Sequence, residues 1–138
     1  MLGRLPVLFV EDDPVDVMSL QRAFARCGIS NPLYCAANGE EALSLLRSTR
    51  RLGLRPGLIL LDLNMPVMSG LEFLEVQKND SDLRSIPVVV ITSSSQESDR
   101  RRSYELGAAG FVTKPMQFDS FVSMIATIDR YWSLCEQP

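Results

Sequence analysis

Short apolar runs alternate with longer segments of helical spacing along this chain. Each run is continuous rather than alternating, which is the pattern of strands covered on both faces of a sheet. The runs lie at 7–10 (VLFV), 33–36 (LYCA), 58–61 (LILL), 88–91 (VVVI) and 110–113 (GFVT). Five buried strands separated by helical segments predict an α/β fold, with a parallel sheet and helices on both of its faces.

The segments between the runs repeat their apolar residues every three or four positions, as the buried stripe of a helix does. Pro14 suits the first turn of the first helix and Gly28 suits its end. The fourth segment is the weakest, because only Tyr104 and Leu106 are available to be buried. The predicted helices are 14–27, 39–50, a third that begins at 69 or 70 and is ended by the polar run 78–85, 97–106 and 117–134.

Composition and charge narrow the class of protein. The 138 residues, 46% apolar and 22% charged, predict one domain spanning 1–138. A net charge of −3 argues against nucleic acid or an anionic membrane as the main partner. No apolar run approaches the roughly 20 residues of a membrane span. Three cysteines without a CxxC pair indicate reduced thiols and a cytoplasmic location.

The chain contains no histidine. A Ser-His-Asp triad, a Cys-His pair and a histidine-bound metal are therefore excluded as its own chemistry. Carboxylates, hydroxyls, lysine and backbone groups are what remains for a functional site.

Polar residues follow four of the five apolar runs. Parallel α/β sheets bind ligands outside the carboxyl ends of their strands, so these residues are expected to share one edge. Carboxylate oxygens without histidine or thiolate suit Mg²⁺, and a lysine with a hydroxyl opposite them suits phosphate. The residues are Glu11, Asp12 and Asp13 after the first run, Asp62 after the third, Thr92 after the fourth and Lys114 after the fifth.

Four motifs give the chain a close resemblance to the receiver domain of two-component response regulators over essentially its whole length. The resemblance implies a CheY-like, flavodoxin-like sheet with strand order 2-1-3-4-5. It also implies a phosphoacceptor switch that catalyses only its own phosphorylation and dephosphorylation. The motifs are VED at 10–12, LILLDLNMPVMSGLEFL at 58–74, IPVVVITS at 86–93 and GAAGFVTKP at 107–115.

The family resemblance assigns a role to each residue of the metal and acceptor site. Asp62 matches the phosphoacceptor, which forms an aspartyl phosphate. Asp12 matches the direct Mg²⁺ ligand, Glu11 holds the metal largely through water, and Asn64 offers a backbone carbonyl. The alternative pairing of Asp12 with Asp13 stays open, although Asp13 also suits the start of the helix before Pro14.

The remaining roles concern the switch. Lys114 and Thr92 match the residues that bind phosphoryl oxygens, and Phe111 matches the aromatic whose rotamer follows the threonine. The bond between Lys114 and Pro115 is expected to be cis, as in relatives. Ser94 and Asn64 stand where the family tunes hydrolysis of the phosphate.

The C-terminal helix predicts a further surface. An apolar stripe beyond its core positions marks a candidate homodimer interface formed by Phe121, Met124, Tyr131 and Cys135. The closing Tyr131–Trp132 pair resembles stand-alone receivers that serve phytochrome-type histidine kinases. No output domain follows in the sequence, so signalling is expected to pass to a downstream protein or phosphotransfer partner.

Two other functions compete with this switch. A Mg²⁺-dependent phosphatase with an aspartate nucleophile typically has a second acid two residues on, where this chain has Asn64. A phosphate-independent, receiver-like scaffold has no need of the complete set Glu11, Asp12, Asp62, Thr92 and Lys114.

Overall fold

The structure, a computed structural model, describes residues 5–51, 55–94 and 96–135, without the side chains of 49–51. Strands and helices alternate along this part of the chain, and the strands form one parallel sheet of order β2-β1-β3-β4-β5. The predicted fold is thereby confirmed. The elements are β1 Val7–Val10, α1 Pro14–Arg26, β2 Leu33–Ala36, α2 Gly39–Arg51, β3 Leu58–Leu61, α3 Gly70–Lys78, β4 Val88–Thr92, α4 Glu97–Glu105, β5 Gly110–Thr113 and α5 Phe118–Leu134.

Successive residues of the three central strands point to opposite faces of the sheet and enter two separate cores. In β1, Leu8 and Val10 join the core beneath α2, α3 and the end of α4. Val7 and Phe9 join the core beneath α1 and α5. Both cores are closed, since all twelve side chains of β1, β3 and Val88–Ile91 of β4 are at most 5% exposed.

The two edge strands differ from the prediction of five fully covered strands. Three of the four residues in β2 and all four in β5 are partly or fully exposed. An edge strand has a neighbour on one side only, and its outer side is covered less completely by the flanking helices. The continuous apolar runs therefore predicted the strands correctly and their burial incorrectly at the two edges.

Local sequence explains where α1 begins and ends. The Asp13 side chain accepts a hydrogen bond of 2.9 Å from the Val15 N–H, and Pro14 occupies the first helical turn. Gly28, just past the last turn, adopts a φ of +68°, which glycine adopts without steric cost. Both ends lie within a residue of the predicted ones.

Helix α4 is loosely anchored, as predicted, but by different residues. Tyr104 is 49% exposed, so its predicted burial is wrong, whereas Leu106 just beyond the helix is buried. The buried position within α4 is Ser103, whose hydroxyl donates to the Asp99 carbonyl at 2.7 Å. The helix turns Ser103 rather than Tyr104 toward the sheet, because Ser103 lies three residues before Leu106 on the same face.

No helix within the described ranges is long and apolar enough to cross a bilayer.

Candidate functional site

The strand register brings the polar residues that follow the strands to one edge of the sheet. Val10 of β1 pairs with Leu61 of β3, so Glu11 and Asp62 extend the same row. The Asp62 N–H donates to the Val10 carbonyl at 3.0 Å and continues the ladder past the strand end. The expected convergence of the strand ends is therefore present.

Three carboxylates form a compact cluster at this edge. Glu11, Asp12 and Asp62 each offer one oxygen, and these oxygens lie within 4.8 Å of one another. Glu11 is 3% and Asp62 5% exposed, whereas Asp12 is exposed. Acids held this close repel one another unless a cation is bound, and an all-oxygen set with one open side fits a hard divalent cation.

Asp13 lies outside this cluster. Its side chain caps α1, and its backbone N–H donates to Glu11 Oε2 at 3.2 Å. The two registers left open by the sequence are thereby distinguished: Glu11 and Asp12 face Asp62, and Asp13 starts the helix.

Lys114 is the cation of the site. Its Nζ lies 2.8 Å from Glu11 Oε1 and 2.8 Å from Asp16 Oδ2. Its backbone N–H donates to the Thr92 carbonyl at 2.7 Å, which ties the end of β5 to β4. Burial lowers the pKa of Lys114, but the hydrogen bonds to Asp16 and Glu11 and the charge of Asp62 raise it above its usual value.

Glu11 has the most perturbed acidity at this edge. Its pKa is raised from 4.5 to about 7, chiefly by burial and also by the charge of Asp62, although the hydrogen bond with Lys114 lowers it. Burial therefore outweighs the lysine in setting this pKa. A bound divalent cation would favour the charged form of Glu11.

Thr92 connects the site to α4. Its side chain is completely buried, and its Oγ1 accepts a hydrogen bond of 3.3 Å from the Ser94 N–H. The Ser94 hydroxyl in turn donates to Asp99 Oδ2 in the first turn of α4 at 2.6 Å. Phe111 is half-buried against the core on the α4 side of the sheet.

The loop after Asp62 holds this residue closely. Asp62 Oδ1 accepts from the Leu63 N–H at 2.9 Å, and the Gly70 N–H donates to the Leu63 carbonyl at 3.0 Å. A Cβ on Gly70 would lie 2.3 Å from the Asp62 carbonyl oxygen, so only glycine fits there. Val67 in the same loop adopts a φ of +67°, which is strained for a β-branched residue.

Of two further predicted features of the site, one stays a prediction and the other is wrong. Asn64 is exposed two residues beyond Asp62, and its metal-binding role stays a prediction. Every peptide bond in the described residues is trans, so the predicted cis bond between Lys114 and Pro115 is wrong. A trans bond is the lower-energy form before proline by about 0.5–1 kcal/mol, and this strand end adopts it.

The predicted dimer stripe on α5 is only partly exposed. Phe121 is 6% exposed and belongs to the core beneath α1 and α5, which contradicts its place on an outer surface. Met124 and Cys135 are half-buried, and Tyr131 is 62% exposed. The spacing on the helix predicted a stripe, but packing against α1 covers its first member.

Asp16 was not predicted from the sequence as part of the site. It lies in the first turn of α1, where an acid is ordinarily explained by the helix dipole. Its partner Lys114 is 98 positions away along the chain. A clue was available, since the N-terminus of α1 follows β1 and so lies at the edge where the strand ends meet.

Comparisons with known proteins agree with this geometry. The family model of the response regulator receiver domain matches residues 7–126. Response regulator Rcp1 of Synechocystis sp. is 35% identical over 128 residues, which cover 91% of this chain and 87% of that protein.

Two solved structures are similar over nearly their whole length. The phosphorylated cyanobacterial phytochrome response regulator RcpA has a TM-score of 0.90 at 32% identity, covering 99% of each chain. The Mn²⁺-bound form of Rcp1 has a TM-score of 0.87 at 34% identity, covering 97% of this chain and 99% of that one.

The chain belongs to the response regulator receiver domain family. Receiver domains are phosphoacceptor switches that bind a divalent metal and work with histidine kinases, and the acidic cluster Glu11, Asp12 and Asp62 fits such a metal. The resemblance stated from the sequence is confirmed at the level of the family.

Proposed function

We propose that this chain accepts a phosphoryl group on Asp62 from a phosphohistidine of a partner kinase and signals through the resulting change of its surface. The supporting observation is the meeting of the acids Glu11, Asp12 and Asp62 with Thr92 and Lys114 at one sheet edge. In the step, an Asp62 oxygen bonds to phosphorus as the bond from phosphorus to the histidine nitrogen breaks, and the imidazole leaves.

Magnesium is the cofactor that we propose for this site. Glu11, Asp12 and Asp62 would hold it, together with the backbone carbonyl of Asn64. When bound, the ion neutralises charge on the phosphoryl oxygens and lets neighbouring acids stay ionised. The oxygen-only donor set favours this ion, and the Mn²⁺-bound form of the relative Rcp1 supports a divalent metal.

The switch would act through Lys114 and Thr92. An aspartyl phosphate adds close to two negative charges at Asp62, and both side chains gain by binding its oxygens. If the Thr92 hydroxyl turns toward the phosphate, the Ser94 N–H that it now binds is released. Because Ser94 also holds Asp99, this movement would reach α4, and Phe111 would follow into the space that Thr92 leaves.

We propose a phytochrome-type histidine kinase in the cytoplasm as the phosphodonor, and a downstream protein or phosphotransfer partner as the receiver of the signal. The support for this kinase class is the similarity to the phytochrome response regulator RcpA. A purified kinase of that class should transfer phosphate faster than an unrelated histidine kinase does.

We also propose a homodimer through α5, with an interface that excludes the buried Phe121. Its exposed apolar contribution comes from Tyr131, 62% exposed, and Leu134, 80% exposed, with Met124 beside them. Sedimentation of wild type against Tyr131→Asp tests it, with the exposed Ser123→Asp on the same helix as the control. A monomeric wild type at micromolar concentration contradicts this interface.

The experiment that tests the proposed function uses beryllofluoride, a mimic of the phosphoryl group, with and without Mg²⁺. We expect saturable, Mg²⁺-dependent binding that changes hydrogen exchange in 96–113, and we expect Asp62→Asn to abolish it. Asp119→Asn, an exposed acid in the first turn of α5, is the matched control and should behave as wild type.

Mass spectrometry after incubation with acetyl phosphate gives the covalent counterpart. Wild type should gain one phosphoryl group, and Asp62→Asn should gain none. A wild type that neither binds beryllofluoride nor gains mass would favour the phosphate-independent scaffold. Rapid turnover of an external phosphomonoester would favour the phosphatase.

A further inference from the structure

Two carboxylates from different elements share the ammonium of Lys114. Glu11 lies just beyond β1, and Asp16 lies in the first turn of α1. Each places an oxygen 2.8 Å from Nζ. Both distances are typical of charge-assisted hydrogen bonds, so the lysine is held at two points.

The two contacts leave part of the hydrogen-bonding capacity of the Lys114 ammonium unused. A lysine ammonium has three N–H donors and accepts nothing, so one donor is left after Glu11 and Asp16 are satisfied. The Lys114 side chain is 13% exposed, and its flexible four-carbon stem would otherwise sample many rotamers. Holding it at two points limits the directions in which the remaining donor can point, and the charge of Asp62 acts on the same ammonium.

The two acids differ in what else they do. Glu11 belongs to the carboxylate cluster that fits a divalent metal, whereas Asp16 is outside that cluster. A carboxylate that serves a metal has less charge and fewer lone pairs to offer a lysine. Asp16 is therefore the partner whose bond to Lys114 does not compete with the metal.

We propose that Asp16 is a positioning residue, which keeps Lys114 aimed at the phosphoryl group when Glu11 is engaged by the metal. Asp16 would not touch the phosphoryl group itself. The inference rests on the proposed phosphoacceptor function.

Asp16 also has an effect that opposes binding of the phosphoryl group. A carboxylate near an incoming anion repels it and competes with it for the lysine. Its side chain is 30% exposed, so solvent weakens the repulsion more than it weakens a direct bond of 2.8 Å. Positioning is thus expected to outweigh repulsion, and the sign of the effect is measurable.

The test compares Asp16→Asn with Glu40→Gln, which removes an acid from the first turn of α2 instead. We expect Asp16→Asn to weaken Mg²⁺-dependent beryllofluoride binding about tenfold. Its affinity for Mg²⁺ alone should stay within about twofold of wild type, because Lys114 and not the metal loses its partner. Glu40→Gln should leave both affinities unchanged, and Asp16→Glu should restore part of the loss.

A double-mutant cycle separates positioning from a general structural effect. The rate of phosphorylation by acetyl phosphate is measured by mass spectrometry for Asp16→Asn in wild type and in Lys114→Met, over times long enough for slow variants. If Asp16 acts through Lys114, Asp16→Asn should change the rate by less than about twofold once the lysine is gone.

Three results would overturn the inference: beryllofluoride affinity unchanged in Asp16→Asn, affinity increased, or an equal loss in both backgrounds of the cycle. In each of these the wild type still binds beryllofluoride, and the proposed phosphoacceptor function stands. A wild type that fails to bind at all removes that function, and the role of Asp16 falls with it.

Discussion

Helices α3 and α4 have equal length, nine residues each, and each follows a strand that contributes to the site. Their anchoring differs. Helix α3 begins with a capping box in which Ser69 and Glu72 exchange side-chain and backbone hydrogen bonds of 3.1 and 3.3 Å. It buries Gly70, Phe73, Leu74 and Gln77.

Helix α4 lacks these anchors within the described part of the chain. Gln96 at its N-cap makes no side-chain capping bond, and Ser103 is its one buried residue. The two helices beside the site thus differ in how firmly they are held. The loop and helix after Asp62 are held by capping bonds and buried side chains. The loop and helix after Thr92 are held by few contacts and are available to move.

The largest effect is expected from Gly70→Ala, which disrupts the packing of α3 against Asp62. The new Cβ would lie 2.3 Å from the Asp62 carbonyl oxygen and 2.7 Å from Leu63 Cα, and backbone atoms cannot easily move away. We expect a loss of about 3 kcal/mol in the free energy of unfolding, measured by urea denaturation, together with loss of phosphorylation. Gly110→Ala is the control, because its Cβ would meet only Val89 methyls at 3.6 Å. Equal stability of the two variants would contradict the close packing at Asp62.

The next effect concerns the buried polar residue of each helix. Gln77 Nε2 donates to the carbonyls of Leu83 and Ile86 at 3.0 and 2.8 Å, which Gln77→Met would leave without that donor. We expect a loss of about 1–3 kcal/mol in unfolding free energy. Ser103→Ala in α4 should change it by less than about 0.5 kcal/mol, because that hydroxyl only bonds back within its own helix. A larger loss in α4 than in α3 would reverse the comparison.

A smaller and local effect is expected from Ser94→Ala, which cuts the link between Thr92 and α4. Without the Ser94 hydroxyl, Asp99 loses its 2.6 Å partner, and the first turn of α4 opens more often. Amide hydrogen exchange in 97–105 should increase about fivefold, as for the loss of about 1 kcal/mol of local stability. Exchange in α3 should not change. Ser93→Ala, at the exposed neighbouring position, is the control, and an equal increase there would rule out the hydroxyl as the link.

The smallest effect is expected from Glu105→Gln at the end of α4. The pair between Arg102 Nη1 and Glu105 Oε2 is 3.5 Å long, and its side chains are 48% and 54% exposed. We expect a change below about 0.5 kcal/mol in unfolding free energy, which should vanish in high salt. A change above 1 kcal/mol would mean that α4 is anchored more firmly than its contacts indicate.

The fold and the sheet edge were predictable because both follow from local patterns. Continuous apolar runs predicted the strands, and the position of Asp62 directly after one of them predicted a carboxylate at the site. Asp13 and Pro14 predicted the start of α1 by capping chemistry alone. Each of these inferences needs only residues that are close together along the chain.

The rest depended on packing between distant segments. The pairing of Asp16 with Lys114 arises only once the end of β5 and the start of α1 lie at the same edge of the sheet. Whether Ser103 or Tyr104 faces the sheet depends on a rotation of α4 that a helix with few apolar residues does not specify. The burial of Phe121 depends on α1, which covers a position that the spacing alone assigned to the surface.

The alternation of the central strands between two cores has a consequence for how this sequence can change length over evolutionary time. One residue inserted into β3 would turn each later side chain to the opposite face and carry Asp62 about 3.3 Å along the sheet. The contributions of β3 to both cores and the position of Asp62 would be disrupted in a single event. Insertions and deletions are therefore expected to accumulate in descendants of this chain at the loops on the amino edge of the sheet, whose lengths do not set the register of the strands.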